Sequence, residues 1–435
     1  MLSPAAPARG GALGGRILAG VGPAFGYART VVEQAPPRSS PEDPEAPAER
    51  PAEPLRVLFT LPWATRSGGA EEMLQELVDG GPAAGYVAEL VFLEQGPWPA
   101  QLRAAGVRVD VLPSARIRHP HAWLRTVRRL AAIMRTRQPD LIVNWTAKTQ
   151  LYGAPAAMLA GMRERVVWWQ HAIPEGHWID ACATILPSAA IGATSRAAAE
   201  EHRRRFRPAR EMFVVAAGTH APLPEADPGA AAERLAGLGT AAGVPLVGLV
   251  ARLQPWKGQD RLVQAAQLLR ERGHPVHVLL VGGDSFALAP DYARGLPQLI
   301  ERLGMSGHVT MTGEVPDAGP YIERMDVLVN ASDPEPFGIV LLEGMARGVA
   351  VVAVGRGGPR EIVEDGVTGV LARSGDPEAL ADAIEPLLAS EELRGRVAAA
   401  GRERFLREFT DEAMCARFAA HVRELVAARE RRGGR

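Results

Sequence analysis

DVLVNASDPEPFGIVLLEGMARGVAVVAV, residues 326–354, decides how the rest of the chain is read. It opens on a short apolar run (326–330), crosses a polar loop broken by two prolines, and enters a helical stretch near Gly338. It then returns to a second apolar run, VAVVAV (349–354). Continuous apolar strands without polar alternation, joined through a helix, belong to parallel sheets covered on both faces. Working outward, the same pattern recurs in PLVGLV (245–250), VHVLLVG (276–282) and HVTMTG (308–313). An earlier series comprises LRVLFTL (55–61), VAELVFL (87–93), VRVDVL (107–112), DLIVNW (140–145) and RVVWWQ (165–170). Between the two series, AAGTHAPLPEADPGAA (216–231) clusters proline and glycine and reads as a linker. The expected fold class is therefore α/β, with two Rossmann-like, doubly wound domains facing a cleft. The expected boundaries are a disordered extension over 1–54, a first domain over 55–217, a second over 218–405 and a closing helix over 406–435.

Composition sets limits on function. The chain has 435 residues, 47% of them hydrophobic and 23% charged, with a formal charge of −1. Such a balance gives no global field for nucleic acid or an anionic membrane, so any anion must be held by locally placed cations. Cys182 and Cys415 are too few and too far apart in sequence for a disulfide framework or a zinc cluster, which points to a reducing, cytoplasmic setting. Residues 1–54 end in the acidic run SSPEDPEAPAERPAEP and are rich in Ala, Pro and Gly. They are too interrupted for a signal peptide or a membrane span, and disorder is expected, with an interfacial helix as the alternative.

Open parallel sheets bind ligands at the carboxyl ends of their strands, so the residues just past strands carry the chemistry. EPFGIVLLEGMARG (335–348) is the strongest such segment. Gly338 permits close approach to the backbone, and the N–H groups near Ile339 and Val340 begin a helix at the positive end of its dipole, suited to a diphosphate. Glu343, about one turn in, leans back toward that end and can accept from ribose hydroxyls. Glu335, in the loop, can reach sugar hydroxyls. Two lone glutamates would be solvated surface groups, but their spacing around a glycine-opened helix after a buried strand argues otherwise. ARLQPWKGQDRLVQAA (251–266) is the second segment. Arg252 and Lys257 flank a strand-to-helix turn and can converge on the dianion that develops as a glycosidic bond to a nucleoside diphosphate breaks. No D-x-D sequence sits at a strand end, so a metal-bridged diphosphate is not expected and no cofactor is required.

Weaker signals lie elsewhere. Ser67, Gly68 and Gly69 form a turn into a helix after the first strand, and His171 follows a strand end in WWQHAIPEGHW (168–178). Trp168 and Trp169 read as packing. GRGGPREIVEDGVTGVL (355–371) has a Gly-Gly-Pro turn able to touch sugar or phosphate, with Glu361 on the following helix. Val315, in GEVP (313–316), falls past a strand end where a nucleotide base would lie.

The ordered set A-R-L-x-P-x-K-G, E-P-F-G-x-x-x-x-E and G-G-P-x-E-I-V-x-D-G-x-x-G resembles the retaining GT-B glycosyltransferases of family 4, and the likeness covers about residues 55–405. The resemblance implies transfer of a sugar from a nucleotide-diphosphate sugar to a hydroxyl acceptor, with retained configuration, no metal, and the departing phosphate taking the acceptor proton. It implies an acceptor domain first and a donor domain second. It assigns Arg252 and Lys257 to the diphosphate, Glu335 to the donor sugar, Glu343 to the ribose, and the backbone at Phe337 and Gly338 to sugar hydroxyls. By the same resemblance Gly69 approaches the diphosphate, His171 faces the sugar, and the last helix crosses back onto the first domain. The chain departs from the family at AAGTH (216–220), where relatives often read P-N-G-V-D, so no role carries over to Ala217. A nucleotide-sugar-binding partner without activity, or a nucleotide-sugar epimerase on the same fold, is the alternative function.

Basic stretches raise the question of membranes. LRTVRRLAAIMRTR (124–137) holds five arginines and no acid, with Leu124, Val127, Leu130, Ala131 and Met134 on one stripe. HRRRFRPAR (202–210) is the second such stretch. An amphipathic helix with a solvated arginine face is the favoured reading, and weak peripheral membrane contact is the alternative.

Overall fold

The computed structural model of the chain describes residues 53–66, 68–114, 117–222, 243–284 and 287–433. The expectations for most of the extension, for Ser67 and for most of the linker lie outside these residues. Thirteen parallel strands form two sheets in the described residues. The first runs β3-β2-β1-β4-β5-β6-β7, built from β1 (Leu55–Leu61), β2 (Tyr86–Phe92), β3 (Arg108–Val111), β4 (Leu141–Asn144), β5 (Val166–Gln170), β6 (Ala190–Ala193) and β7 (Met212–Val214). The second runs β10-β9-β8-β11-β12-β13, built from β8 (Leu246–Val250), β9 (His277–Val281), β10 (Val309–Gly313), β11 (Val327–Asn330), β12 (Ala350–Val354) and β13 (Val370–Ala372). In each sheet the strand order reverses beside the first strand of the half, between β1 and β4 and between β8 and β11. Those reversals are the places where an open sheet leaves a crevice at its carboxyl edge.

The strands read from sequence are present within one or two residues at each end. β6, β7 and β13 are not among them: AIGA is three-quarters small residues, and MFV and VLA are only three residues long, so none stands out from the neighbouring helices. The basic stretch 124–137 forms most of helix Pro120–Arg137, and Val127, Leu130, Ala131 and Met134 are buried against Leu58, Ile142 and Tyr152. Arg125, Arg128, Arg129 and Arg135 face solvent, whereas Arg137 turns in to bind Glu89 at 3.0 Å.

Two chain crossings between the halves run side by side. Thr219 pairs with Thr410, Thr219 N donates to Phe409 O at 3.2 Å, and Asp411 N donates to Thr219 O at 3.1 Å. A Cβ on Gly218 would sit 2.3 Å from Thr410 O, so only glycine allows this approach. The crossing at Phe409–Thr410 also divides the charged C-terminal stretch into two helices, Glu391–Glu408 and Asp411–Gly433. The second of these packs on the first half. Phe418 lies 5.9 Å from Phe59, 5.2 Å from Tyr86 and 5.9 Å from Trp169, ring centre to ring centre. Burying one such ring stabilises by about 2 kcal/mol.

Candidate active site

Because all strands within each sheet run parallel, the loops after β1, β5, β6, β8 and β11 open on one cavity of about 410 Å³. Gly68 and Gly69 enter it from the loop after β1, His171 from β5, Thr194 from β6, Arg252 and Lys257 from the loop after β8, and Asn330 from the end of β11. Glu335, Phe337, Gly338, Ile339, Val340 and Glu343 complete the opposite wall. A second cavity of about 660 Å³ shares Glu72, Val250, Ala251, Arg252 and Glu343 with the first. Val315 lines this second cavity, beside Gly282, Gly283 and Asp317. The residues expected from the sequence are thus gathered along one groove.

Helix Ile339–Ala346 opens at Gly338, whose φ of 106° lies in the left-handed region that glycine adopts without strain. Leu341 N is used locally by Gly338 O at 2.9 Å, while the Ile339 and Val340 amides, as first-turn donors, have no carbonyl within the helix. Those amides and the helix dipole put partial positive charge on the cavity wall.

Lys257 sits at the end of a 3-10 turn, Pro255–Lys257, not within the following helix; Gly258, at φ 76°, separates the two. Its Nζ lies 2.9 Å from Glu335 Oε2 and 3.9 Å from the centre of the Trp256 ring. Asn330 Nδ2 donates to the same Glu335 oxygen at 3.4 Å. Glu335 is 7% exposed, so Lys257 and Asn330 compensate a carboxylate with little water. Arg252 differs: among the described residues its guanidinium makes no ion pair and no side-chain hydrogen bond. It stands at the junction of the two cavities, where its charge also acts on the buried carboxylate of Glu71.

Glu343 occupies the same junction. Burial pushes its carboxyl above the ordinary range; Arg347 works against this, while Glu72 and Asp317 reinforce it. His171 is held neutral. Burial lowers its pKa to about 3, although its hydrogen bond to the Trp145 backbone favours the charged ring. The ring sits 4.5 Å from Trp145, and its Nε2 is buried without a partner in a wall of the cavity. Thr194 Oγ1 donates to His171 O at 3.2 Å and fixes the residue from behind.

Several cavity residues escaped the sequence reading. Thr194 follows β6, itself too rich in small residues to be recognised; Asn330 is the last residue of a strand that was recognised, and strand-end position was the available signal. Ala217 lines the cavity through its place beside the crossing, which its side chain does not advertise. The Gly-Gly-Pro turn at 357–359 differs from expectation. Gly358 N donates to Glu335 O at 2.9 Å, so the turn braces the Glu335 loop and does not line either cavity.

Comparison with known proteins agrees with this architecture. Residues 67–220 match the family model described as Glycosyltransferase Family 4, and residues 235–404 match Glycosyl transferases group 1. The chain is 29% identical over 404 residues to a GDP-mannose-dependent alpha-(1-6)-phosphatidylinositol monomannoside mannosyltransferase of Mycobacterium tuberculosis, covering 86% of this chain and 99% of that protein. It is 35% identical over 177 residues to the lipopolysaccharide core biosynthesis glycosyltransferase LpsE of Rhizobium meliloti, 41% of this chain and about half (49%) of that protein. Among solved structures, Anabaena Alr3699/HepE in complex with UDP superposes with a TM-score of 0.73 at 26% identity, covering 85% of this chain and 100% of that one. Between them the matched segments hold every strand of the two sheets but β1, and the chain belongs to the family 4 glycosyltransferases of the GT-B fold.

Proposed function

We propose that the chain transfers a hexose from a nucleotide-diphosphate sugar to a hydroxyl acceptor with retention at the anomeric carbon. The observation that carries this reading is the convergence of Arg252, Lys257 and the start of helix Ile339–Ala346 on one cavity, with Glu335 and Glu343 along the same wall. In this reading the diphosphate lies between the two cations and the Ile339 and Val340 amides. The ribose hydroxyls donate to Glu343 and the base extends past Val315 into the second cavity. The sugar lies toward Glu335, His171 and the Phe337–Gly338 backbone. As the bond from the anomeric carbon to the β-phosphate oxygen breaks, negative charge grows on the diphosphate, where Arg252 and Lys257 stabilise it more than they stabilise the intact donor. The acceptor oxygen attacks from the face that the phosphate leaves, and its proton passes to the departing phosphate oxygen. The two cations take the charge that a bridging metal would otherwise carry. Neutral His171 offers a ring nitrogen to a sugar hydroxyl without adding charge to that side.

The donor class gains support from relatives: the mycobacterial protein is GDP-mannose-dependent, and the Anabaena structure holds UDP. For the acceptor side, we infer a cytoplasmic enzyme, with weak contact to anionic surfaces as the alternative to a simply solvated arginine face. Among the described residues no helix is long and apolar enough to cross a membrane, while His121, Arg125, Arg128 and Arg129 border a basic groove on helix Pro120–Arg137. Sedimentation with phosphatidylglycerol vesicles at low salt tests that contact, and protein left wholly in the supernatant removes it. The donor reading is tested by thermal shifts with UDP, GDP and ADP and their sugars, in buffer containing EDTA. Stabilisation by one nucleotide series and transfer to a hydroxyl are expected. No shift with any series would overturn the assignment.

A further inference from the structure

Glu361 lines neither cavity, and the donor reading gives it no task. It belongs to the one-turn helix Pro359–Ile362 of the second half, yet its carboxylate is spent on the first half. Oε2 accepts from the Arg196 amide and Oε1 from the Ala197 amide, each at 2.9 Å. These are the first two donors of helix Arg196–Phe206, which no carbonyl of that helix can satisfy. Ser195 Oγ takes the next one, from Ala198, at 3.1 Å. A helix start is ordinarily capped by its own neighbours; here half of the cap arrives from 165 residues away, across the cleft.

Both ends of this bridge lead to the cavity. On the first half, Ser195 follows Thr194, which lines the cavity and holds the carbonyl of His171. On the second half, Glu361 N donates to Gly358 O at 2.8 Å, and Gly358 N donates to Glu335 O at 2.9 Å. The turn is packed against both walls: a Cβ on Gly357 would lie 2.2 Å from Glu335 O and 3.0 Å from Ile173 Cδ1. Arg404 Nη2 donates to Glu361 O at 3.1 Å and steadies the short helix from behind. The covalent crossings, meanwhile, are pinned together at Thr219 and Thr410. The halves are therefore joined by paired crossings and by a releasable carboxylate-to-amide contact tied to His171 on one side and Glu335 on the other.

We propose that Glu361 is a positioning residue, a latch that holds the cleft closed and sets the spacing between His171 and Glu335. Charge-assisted hydrogen bonds to a helix start are among the stronger single contacts, and they can be broken without unfolding either half. The kinetic consequence rests on the donor reading; the latch itself does not. Without it, closing must be driven by donor binding alone, which raises the apparent dissociation constant in inverse proportion to the fraction of molecules that remain closed.

The test uses the full chain in a Cys182→Ser background, with spin labels on Arg128→Cys and Glu301→Cys, exposed positions on opposite halves. The parent protein is expected to give one narrow distance distribution. Glu361→Ala should broaden it and add a longer population, and Glu361→Gln, which keeps one acceptor oxygen, should fall between. With UDP-glucose and GDP-mannose as donor probes, Glu361→Ala should raise KM about tenfold with kcat changing less than about threefold, and Glu361→Gln should recover part of the loss. A distance distribution in Glu361→Ala identical to the parent overturns the latch, as does a loss confined to kcat at unchanged KM. Widened distances in a chain that turns over neither donor would uphold the latch and count against the donor reading. Unchanged distances in an active enzyme would do the reverse.

Discussion

The two walls of the first cavity are built differently. The second-half wall carries charge: Arg252, the Lys257–Glu335 pair, Glu343 and a helix start. The first-half wall is mostly neutral, with Gly68, Gly69, Ala172, Thr194 and Ala217 around a histidine kept uncharged by burial. Glu72 is the exception, and Arg66 holds it with a hydrogen bond of 3.3 Å and a second, shorter one. Charge compensation thus belongs to one half, while the other covers it and thins the water. Each cation is worth more under such a cover, because its field is less screened.

The largest expected effect comes from removing either cation, and the two should differ in a telling way. Lys257→Ala and Arg252→Ala should each lower turnover roughly 10²–10³-fold, measured as donor consumption at saturation. Lys257→Ala also strands the buried Glu335 carboxylate, so its unfolding free energy should fall by about 1–3 kcal/mol in denaturant titration. Arg252→Ala breaks no ion pair among the described residues, removes only a longer-range charge from Glu71, and should lose less stability than Lys257→Ala. Equal stability losses in both variants would break the contrast between a paired and an unpaired cation.

A glycine bracing the charged wall from behind and one on the neutral wall give the next comparison. A Cβ on Gly358 would meet Phe337 Cα at 2.3 Å and Pro336 O at 2.5 Å, backbone atoms that can only move together with the Glu335 loop. A Cβ on Gly69 meets the tip of Ile339 at 3.0 Å, a side chain able to turn aside. Gly358→Ala should therefore cost about 10²-fold in kcat/KM through misplacement, and Gly69→Ala about tenfold. The reverse order would mean that the first-half wall sets the geometry.

The same asymmetry governs what could be read without coordinates. The charged wall was legible because its groups sit in contiguous motifs just past strands rich in Val and Leu, where a parallel sheet must present them; Arg252, Lys257, Glu335 and Glu343 needed only the β-α-β pattern. The neutral wall was poorly legible. Thr194 and Ala217 act through position and small size, follow strands whose short sequences AIGA and MFV carry no β-branched run, and carry no chemistry that stands out from packing. Glu361 was visible as a carboxylate on a short helix, but its partner amides lie in the other half and no spacing rule connects them. The Gly-Gly-Pro turn was misplaced for the same reason: flexibility was evident, and the acceptor of its amide was not.

Buried histidines of the first half make acid a sharper stress there than in the second. Burial lowers His202 to about 4 and His171 to about 3. Both bind protons more readily unfolded than folded, so the stability they lend is intact above the ordinary histidine pKa near 6.5 and is lost as pH falls below it. Each can shift the folding equilibrium by up to about tenfold per pH unit down to its folded pKa. Tryptophan fluorescence should report the loss early, since Trp145 and Trp169 adjoin His171 and Trp168 adjoins His202. His202→Gln should flatten part of the slope between pH 6 and 4. A profile unchanged by that substitution would assign the acid sensitivity elsewhere.

The smallest expected effect separates the two ends of the charged wall. Glu343 has its pKa raised chiefly by burial, with Arg347 opposing, so it loses its charge at a higher pH than an ordinary glutamate does. A ribose diol donates to the ionised form; protonation removes an acceptor and weakens the nucleotide. Affinity for the preferred nucleoside diphosphate should therefore fall as pH drops through the raised pKa, by about tenfold at most, the worth of one hydrogen bond to a charged group. Glu343→Gln should start at the weakened level and lose most of this pH dependence. Affinity that falls equally in parent and variant would instead trace to protonation of the diphosphate, and Glu343 would then have no part in holding the ribose.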